Sequence, residues 1–173
     1  MKQRQSLRRL VNLFDTISDM TGKAISWLIL VLVLSLTFEV ISRHFFNRPT
    51  FWSYDVSYML GGSAMVIGAA MALKNKQHVR VDLFYGNFSP RLQAGVDLIL
   101  SIVLFYPILI FGLINSIQAA ALSWSRYERI MSGFWQPPIY PLKTAVPIGL
   151  FLLLIQLLAD TIRTVVKLQG GDL

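Results

Sequence analysis

Residues 43–55 read Arg43-His44-Phe45-Phe46-Asn47-Arg48-Pro49-Thr50-Phe51-Trp52-Ser53-Tyr54-Asp55 and separate two apolar segments. Pro49 should stop a continuing helix, because its nitrogen has no hydrogen to donate and its ring clashes with the preceding turn. Ser53 is of a type that caps helix N-termini, and Asp55 then falls in the first turn, near the positive end of the helix dipole. The stretch predicts a tight corner between two helices.

The composition of the 173-residue chain is typical of a membrane protein. Hydrophobic residues make up 54% of it, charged residues only 14%, and the mean hydropathy is +0.56. Four apolar runs approach or exceed the roughly 17–25 residues that cross a hydrocarbon layer of about 30 Å. We therefore predict an all-α integral membrane protein. Its domain, 23–168, should contain four transmembrane helices, at about 24–42, 54–73, 96–122 and 144–166.

Two helix details follow from single residues in the third run. Ser89 is placed to cap this helix, with Pro90 in its first turn. Pro107 lies in the middle of the run and predicts a bend there, because an interior proline removes a backbone hydrogen bond.

Residues 1–22 predict a separate amphipathic helix on the cytoplasmic membrane surface. Apolar side chains from Leu7 to Met20 recur at helical spacing, with charged residues at the other positions. Gly22 is expected to end this helix, so that the chain can turn into the first span. The alternative is a frayed basic tail held to anionic lipid by charge.

The distribution of lysine and arginine predicts the orientation. The N-terminal flank, the connection after the second run and the C-terminal flank are the richer side, so both termini should be cytoplasmic. Residues 169–173 form a short cytoplasmic tail. No cleavable signal peptide is expected, because the first apolar run is long enough to span. The absence of cysteine excludes a disulfide framework, and membrane placement explains the basic charge better than nucleic-acid binding does.

Glu39 is the ionisable residue that stands out most in the sequence, because it lies within an otherwise apolar run. A proton or substrate site is one interpretation, since an intramembrane charge is costly unless it is paired or hydrated. The favoured interpretation is structural, because Arg43 is four residues on and can pair along the same helix face. Arg48 and Asp55 should lie at the same membrane edge, which predicts a charge-balanced cluster of all four residues.

The second run contains a smooth face of small residues. Gly61, Ala64, Gly68 and Ala72 recur at helical spacing, and such residues let helices approach closely in lipid, where association depends on packing. The face could contact a partner subunit or another helix of the same chain.

The connection between the last two runs is rich in aromatic residues and proline, which predicts a stiff loop on the periplasmic side. Rigid aromatics and arginine are effective binding anchors, so this is a candidate docking loop. An ordinary aromatic belt at the lipid headgroups is the alternative. The candidate docking residues are Trp124, Arg126, Tyr127, Trp135 and Tyr140.

The second run ends in a basic segment, Lys74-Asn75-Lys76-Gln77-His78-Val79-Arg80-Val81-Asp82. Together with the corner at residues 43–55, this segment resembles the small membrane subunit, the Q subunit, of tripartite ATP-independent periplasmic (TRAP) transporters. The resemblance extends over most of the chain. It implies an inner-membrane subunit with no catalytic activity and no cofactor. The implied partners are a large membrane subunit (M subunit), which carries a sodium-coupled elevator for organic acids, and a periplasmic substrate-binding protein. The motif residues are Arg43, Asn47, Pro49, Thr50, Trp52, Tyr54, Asp55, His78, Arg80 and Asp82.

Two other functional classes compete with this interpretation. A self-sufficient proton-coupled antiporter would use Glu39, but the chain shows no repeated halves and Glu39 lies near the edge of its run. A membrane anchor of a redox enzyme would hold haem between facing axial ligands. His44 and His78 are expected at opposite edges of the membrane, so neither a haem nor a metal site is predicted.

Overall fold

The computed structural model describes residues 2–75, 89–131 and 135–168. Four stretches in this part are helical, long and apolar enough to cross a membrane, namely Gln5–Phe46, Ser53–Lys74, Arg91–Ser125 and Tyr140–Leu168. The predicted all-α fold with four membrane-spanning helices is confirmed. The predicted tail, 169–173, lies outside the described residues. The helices are α1 (Lys2–Phe46), α2 (Ser53–Lys74), α3 (Pro90–Leu100), a π-helical turn (Ser101–Phe105), α4 (Tyr106–Ser125) and α5 (Tyr140–Leu168).

The predicted separate helix over residues 1–22 is instead the first part of one long helix. α1 is continuous for 45 residues and passes through Gly22 without a break. At 1.5 Å per residue it is roughly 67 Å long, about twice the thickness of the hydrocarbon layer. Gly22 faces α2, where an added Cβ would collide with the Met71 side chain. This glycine therefore permits helix packing and does not end a helix.

α1 and α2 form an antiparallel hairpin, and three side-chain contacts define its register. Ser53 Oγ donates to the Ser35 carbonyl oxygen at 3.2 Å near the corner. Gly22 faces Met71 further along, and Lys74 Nζ lies 2.5 Å from Asp19 Oδ2 at the far end. The helix begins at Ser53, but the predicted serine cap is wrong, because the hydroxyl is used in this contact between helices.

The third span begins as the sequence predicts. The Ser89 hydroxyl accepts a hydrogen bond from Leu92 N at 3.4 Å. Ahead of Pro107 the helix widens into the π-helical turn Ser101–Phe105. A proline cannot donate to the preceding turn, so a change of helical hydrogen bonding one turn earlier is the local response to it.

α5 is the centre of the molecule. In its most apolar window 39% of residues are buried, against 6% for α2 and for the third span. α1, α2, α3 and α4 all pack against α5. Gly149 lies where α5 crosses α2, and a Cβ at this position would be 2.7 Å from the Val66 backbone carbonyl carbon. The backbones of these two helices therefore touch with no side chain between them.

Candidate functional site

Two connections meet at one end of the bundle, which we call the corner end. These connections are residues 47–52, between α1 and α2, and residues 126–139, between α4 and α5. The sequence motifs of the corner and of the candidate docking loop therefore lie at the same membrane edge. The opposite end, which carries both termini of the described chain, is called the terminal end.

Glu39 joins the end of α1 to the 47–52 connection. Its Oε1 accepts from Arg43 Nη2 at 2.6 Å and from Arg43 Nε at 3.1 Å. Its Oε2 accepts from Thr50 N at 2.9 Å and also from the Thr50 hydroxyl. The Glu39 side chain is only 12% exposed. Both carboxyl oxygens are thus used to hold the chain reversal, and Thr50 is a contact that spacing within one helix could not reveal.

The other two members of the predicted charge cluster lie elsewhere. The Arg48 side chain is exposed and forms no ion pair within the described residues. Its backbone closes the corner instead, since Ser42 Oγ donates to the Arg48 carbonyl oxygen at 2.5 Å. Asp55 is only 2% exposed, and its Oδ2 has no hydrogen-bond partner in the part of the chain described. The structure brings together Glu39 and Arg43 but not all four residues.

Asn47 and Trp52 shape the same corner. Asn47 has φ 51°, a left-handed conformation in which asparagine is favoured among residues other than glycine. The Trp52 ring stacks on Phe38 of α1, with 6.0 Å between centroids. These motif residues therefore turn the chain and fasten it to the preceding helix.

The 126–139 connection is closed at its base and exposed beyond it. Ile130 N donates to the Pro137 carbonyl oxygen at 2.9 Å, and Ile139 N donates to that of Glu128 at 3.0 Å. The Trp124 and Tyr140 rings contact each other in a tilted arrangement, with 4.2 Å between ring centroids and an interplanar angle of 39°. Two of the five candidate docking residues, Trp124 and Tyr140, thus lie against each other at the base. Trp124 remains half exposed, and Arg126, Tyr127 and Trp135 are exposed as well.

An ion pair links this connection to α5. Lys143 Nζ lies 2.5 Å from Glu128 Oε2. The hydrogen bond from the Lys143 ammonium is the largest cause that lowers the pKa of the Glu128 carboxyl below its ordinary value of 4.5. The carboxylate form is therefore the one that fits this loop.

The lowered pKa of Glu128 predicts that the folded chain loses stability in acid. A folded-state pKa below the unfolded one gives stability that is present at neutral pH and is lost as pH falls through the folded value. Thermal unfolding in detergent should show wild type above Glu128→Gln at pH 7, with the difference closing between roughly pH 5 and pH 3. Lys143→Gln should behave like Glu128→Gln. If the difference in unfolding temperature between wild type and Glu128→Gln stays constant over this pH range, the ion pair of Glu128 with Lys143 does not stabilise the fold.

Among the described residues, nothing packs closely on the small-residue face of α2 at Gly61 or Gly68. A Cβ built on Gly61 or Gly68 would have no heavy atom within 4 Å among the described residues, and Met65 between them is 80% exposed. Ala64 and Ala72 are partly exposed. The close contact with α5 lies on a different side of the helix, at Val66, and Ala70 one turn further on is fully buried.

A polar clasp at the terminal end joins α5 to α1. Gln156, which is fully buried, accepts from Ser18 Oγ at 2.6 Å and donates to Asp15 Oδ1 at 3.1 Å. Arg163 pairs with Asp15 and lies 3.2 Å from Asp160. An amide inside an apolar run was the one available signal, but nothing in the sequence indicated that its partners are about 140 residues away.

Part of the predicted motif cannot be placed, because His78, Arg80 and Asp82 lie outside the described residues. Among the described residues, His, Cys, Asp and Glu do not form a group of three or more that could hold a metal ion.

Four helices that are long and apolar enough to span a membrane define a multi-pass α-helical membrane protein. The family model of the tripartite ATP-independent periplasmic transporters, DctQ component, matches residues 32–167. The chain belongs to this family and is a small component of a TRAP transporter. The match begins in the middle of α1 and includes the corner end. No curated protein has a significantly similar sequence.

Proposed function

We propose that this chain is the non-catalytic small permease subunit of a sodium-coupled TRAP transporter for organic acids, working with a periplasmic binding protein. It lies in the bacterial inner membrane with both termini in the cytoplasm, and it braces the large M subunit. The observation that carries the proposal is a face of α2 that is apolar, consists largely of small residues and is left open over several helical turns by the described part of the chain.

A helix of the M subunit is the occupant that this face suits best. Helices in lipid gain little from the hydrophobic effect, so they associate where small residues allow backbones to pack closely. Gly61 and Gly68 offer such an approach, and Met65 is a flexible side chain that adapts to a neighbouring surface. The tight packing of α2 on α5 supports the face from behind, so it can act as a rigid brace.

The exposed side chains of the 126–139 connection suit contact with the binding protein. Tyr127 is 76% exposed, and its φ of 48° holds the loop in an unusual turn. The base of the loop is fixed by the ring contact between Trp124 and Tyr140 and by the ion pair of Glu128 with Lys143. Because a fixed loop loses little entropy on binding, it is suited to present Tyr127.

The α2 face can be tested with Gly68→Leu. A leucine here has room within the chain itself, so the variant should fold, but it blocks close approach by another helix. We expect co-purification of the M subunit and solute uptake to fall by about tenfold or more. Gly95→Leu in α3 is the matched control, because Gly95 is equally open, and it should leave both measurements unchanged. Unchanged assembly with Gly68→Leu would reject this face as the joint.

The antiporter alternative makes a different prediction. Glu39 is held by Arg43 and Thr50 at the corner end, so both of its oxygens are already used. The purified chain alone, reconstituted in liposomes, should carry no proton-coupled flux. Transport without any other subunit would overturn the proposed role.

A further inference from the structure

A cavity at the corner end is lined in part by the buried Asp55. The cavity has a volume of about 1020 Å³ and lies between the first turn of α2 and the 126–139 connection. Asp55, Tyr54 and Tyr58 line one wall, and Arg126 and Arg129 line the other. The Glu39 network described above does not include Asp55.

One carboxyl oxygen of Asp55 lacks a hydrogen-bond donor among the described residues. The residue is 2% exposed, and its Oδ2 has no hydrogen-bond partner within residues 2–75, 89–131 and 135–168. A buried carboxyl oxygen without a donor is costly, and a water, an ion or a ligand can supply the missing contact. The group that satisfies Asp55 should therefore carry N–H donors and a positive charge.

The two arginine side chains on the other wall of the cavity favour a negatively charged group. Arg126 and Arg129 are exposed, and neither forms an ion pair within the described part of the chain. The acid beside them, Glu128, is already bound to Lys143. Two guanidinium groups favour a phosphate and repel a lysine or arginine that a protein partner would insert toward Asp55. A ligand that bears both charges fits both walls.

The position of the cavity relative to the ends of the spanning helices further limits which ligands could occupy it. α2 begins at Ser53, α4 ends at Ser125 and α5 begins at Tyr140, so the cavity lies where the spanning segments end. Tyrosine side chains such as Tyr54 and Tyr58 are typical of the headgroup level. A phospholipid places its phosphate at this level and its acyl chains along the apolar helices below.

We propose that this cavity binds the headgroup of an aminophospholipid such as phosphatidylethanolamine, whose primary ammonium donates to Asp55 and whose phosphate accepts from Arg126 and Arg129. The site requires a primary amine, because the quaternary ammonium of phosphatidylcholine has no N–H to donate. Phosphatidylglycerol offers the phosphate without any cation.

The test is a competition among phosphatidylethanolamine, phosphatidylcholine and phosphatidylglycerol with identical acyl chains. The full chain is reconstituted in their equimolar mixture and repurified, and the retained lipid is counted by mass spectrometry. We expect wild type to retain phosphatidylethanolamine about tenfold over phosphatidylcholine, the size expected of a hydrogen bond to a charged group. Equal retention of the three lipids would overturn the proposal, and this comparison needs no variant to fold.

Variants separate the two walls of the cavity. Asp55→Asn keeps the shape of the side chain and should abolish the preference for the primary amine. The double change Arg126→Gln with Arg129→Gln should lower retention of all three lipids. Arg48→Gln, at the same end but lining a different cleft, should change neither result. A preference that survives in Asp55→Asn would show that Asp55 does not select the ligand.

Soluble phosphoethanolamine distinguishes a lipid from a free zwitterion of the same chemistry. If the lipid is the ligand, this compound should displace it only at concentrations far above those of the lipid. Displacement at equal concentration would overturn the lipid assignment. Loss of M-subunit binding in Asp55→Asn, with no lipid preference in wild type, would show that a protein group occupies the cavity and would also overturn it.

Discussion

Replacing Gly149 by Ala is expected to destabilise the folded chain by about 1–3 kcal/mol, the usual cost of forcing an extra group into a packed interior. The new Cβ would lie 2.6 Å from Val66 Cγ1 and 2.7 Å from the Val66 carbonyl carbon and oxygen. A side chain could move aside, but backbone atoms can do so only if α2 moves away from α5. Because α5 is the most buried helix, this shift would loosen the packing of the whole bundle.

Gly61→Ala is the matched control for this substitution. An added Cβ has open space there, and alanine is a better helix former than glycine by about 1 kcal/mol. Thermal unfolding of the purified chain in detergent should therefore rank Gly61→Ala at or above wild type and Gly149→Ala clearly below it. If the two alanine variants unfold at the same temperature, α2 and α5 are not in backbone contact.

The second large effect is expected from Gln156→Leu at the terminal end. Leucine fills a similar volume but removes the acceptor of Ser18 Oγ and a donor to Asp15 Oδ1. Side-chain hydrogen bonds between membrane helices contribute about 0.6 kcal/mol on average and up to about 1.7. Two such bonds at a fully buried residue should together contribute about 2 kcal/mol, so unfolding should occur several degrees lower.

Asn115→Leu serves as the matched amide control. The Asn115 side chain is exposed and donates only to the Phe111 carbonyl oxygen of its own helix, at 2.8 Å. This substitution should therefore leave the unfolding temperature nearly unchanged. A double-mutant cycle with Ser18→Ala isolates the contact between helices, because the loss on combining both changes should be smaller than the sum. Strict additivity would mean that Ser18 and Gln156 do not interact.

Physical reasons separate the predictions that held from those that did not. The apolar runs, Pro49 and Ser89 act through local effects, namely hydrophobic length, a missing N–H and a cap, and each was readable from neighbouring residues. Gly22 was misread because glycine serves equally at a helix end and at a close helix contact. Only the position of Met71 distinguishes the two.

The charged residues show the same division. Glu39 and Arg43 pair because they are four residues apart on one helix, so the sequence predicted their contact. Arg48 and Asp55 were grouped with them by membrane depth alone, but depth does not fix the direction in which a side chain points. The pairing of Asp15 with Arg163 joins helices at opposite ends of the chain and had no local signal at all.

Length, hydropathy and turn chemistry are properties of short segments, so the amino-acid pattern alone predicted the four membrane-spanning helices, the turns between them and the family. The central place of α5, the contact of Gly149 with Val66 and the burial of Asp55 beside a cavity became visible only in the folded chain. These facts depend on which helix faces meet. In a chain whose helices are apolar on all sides, hydrophobicity does not mark those faces, so packing alone selects them.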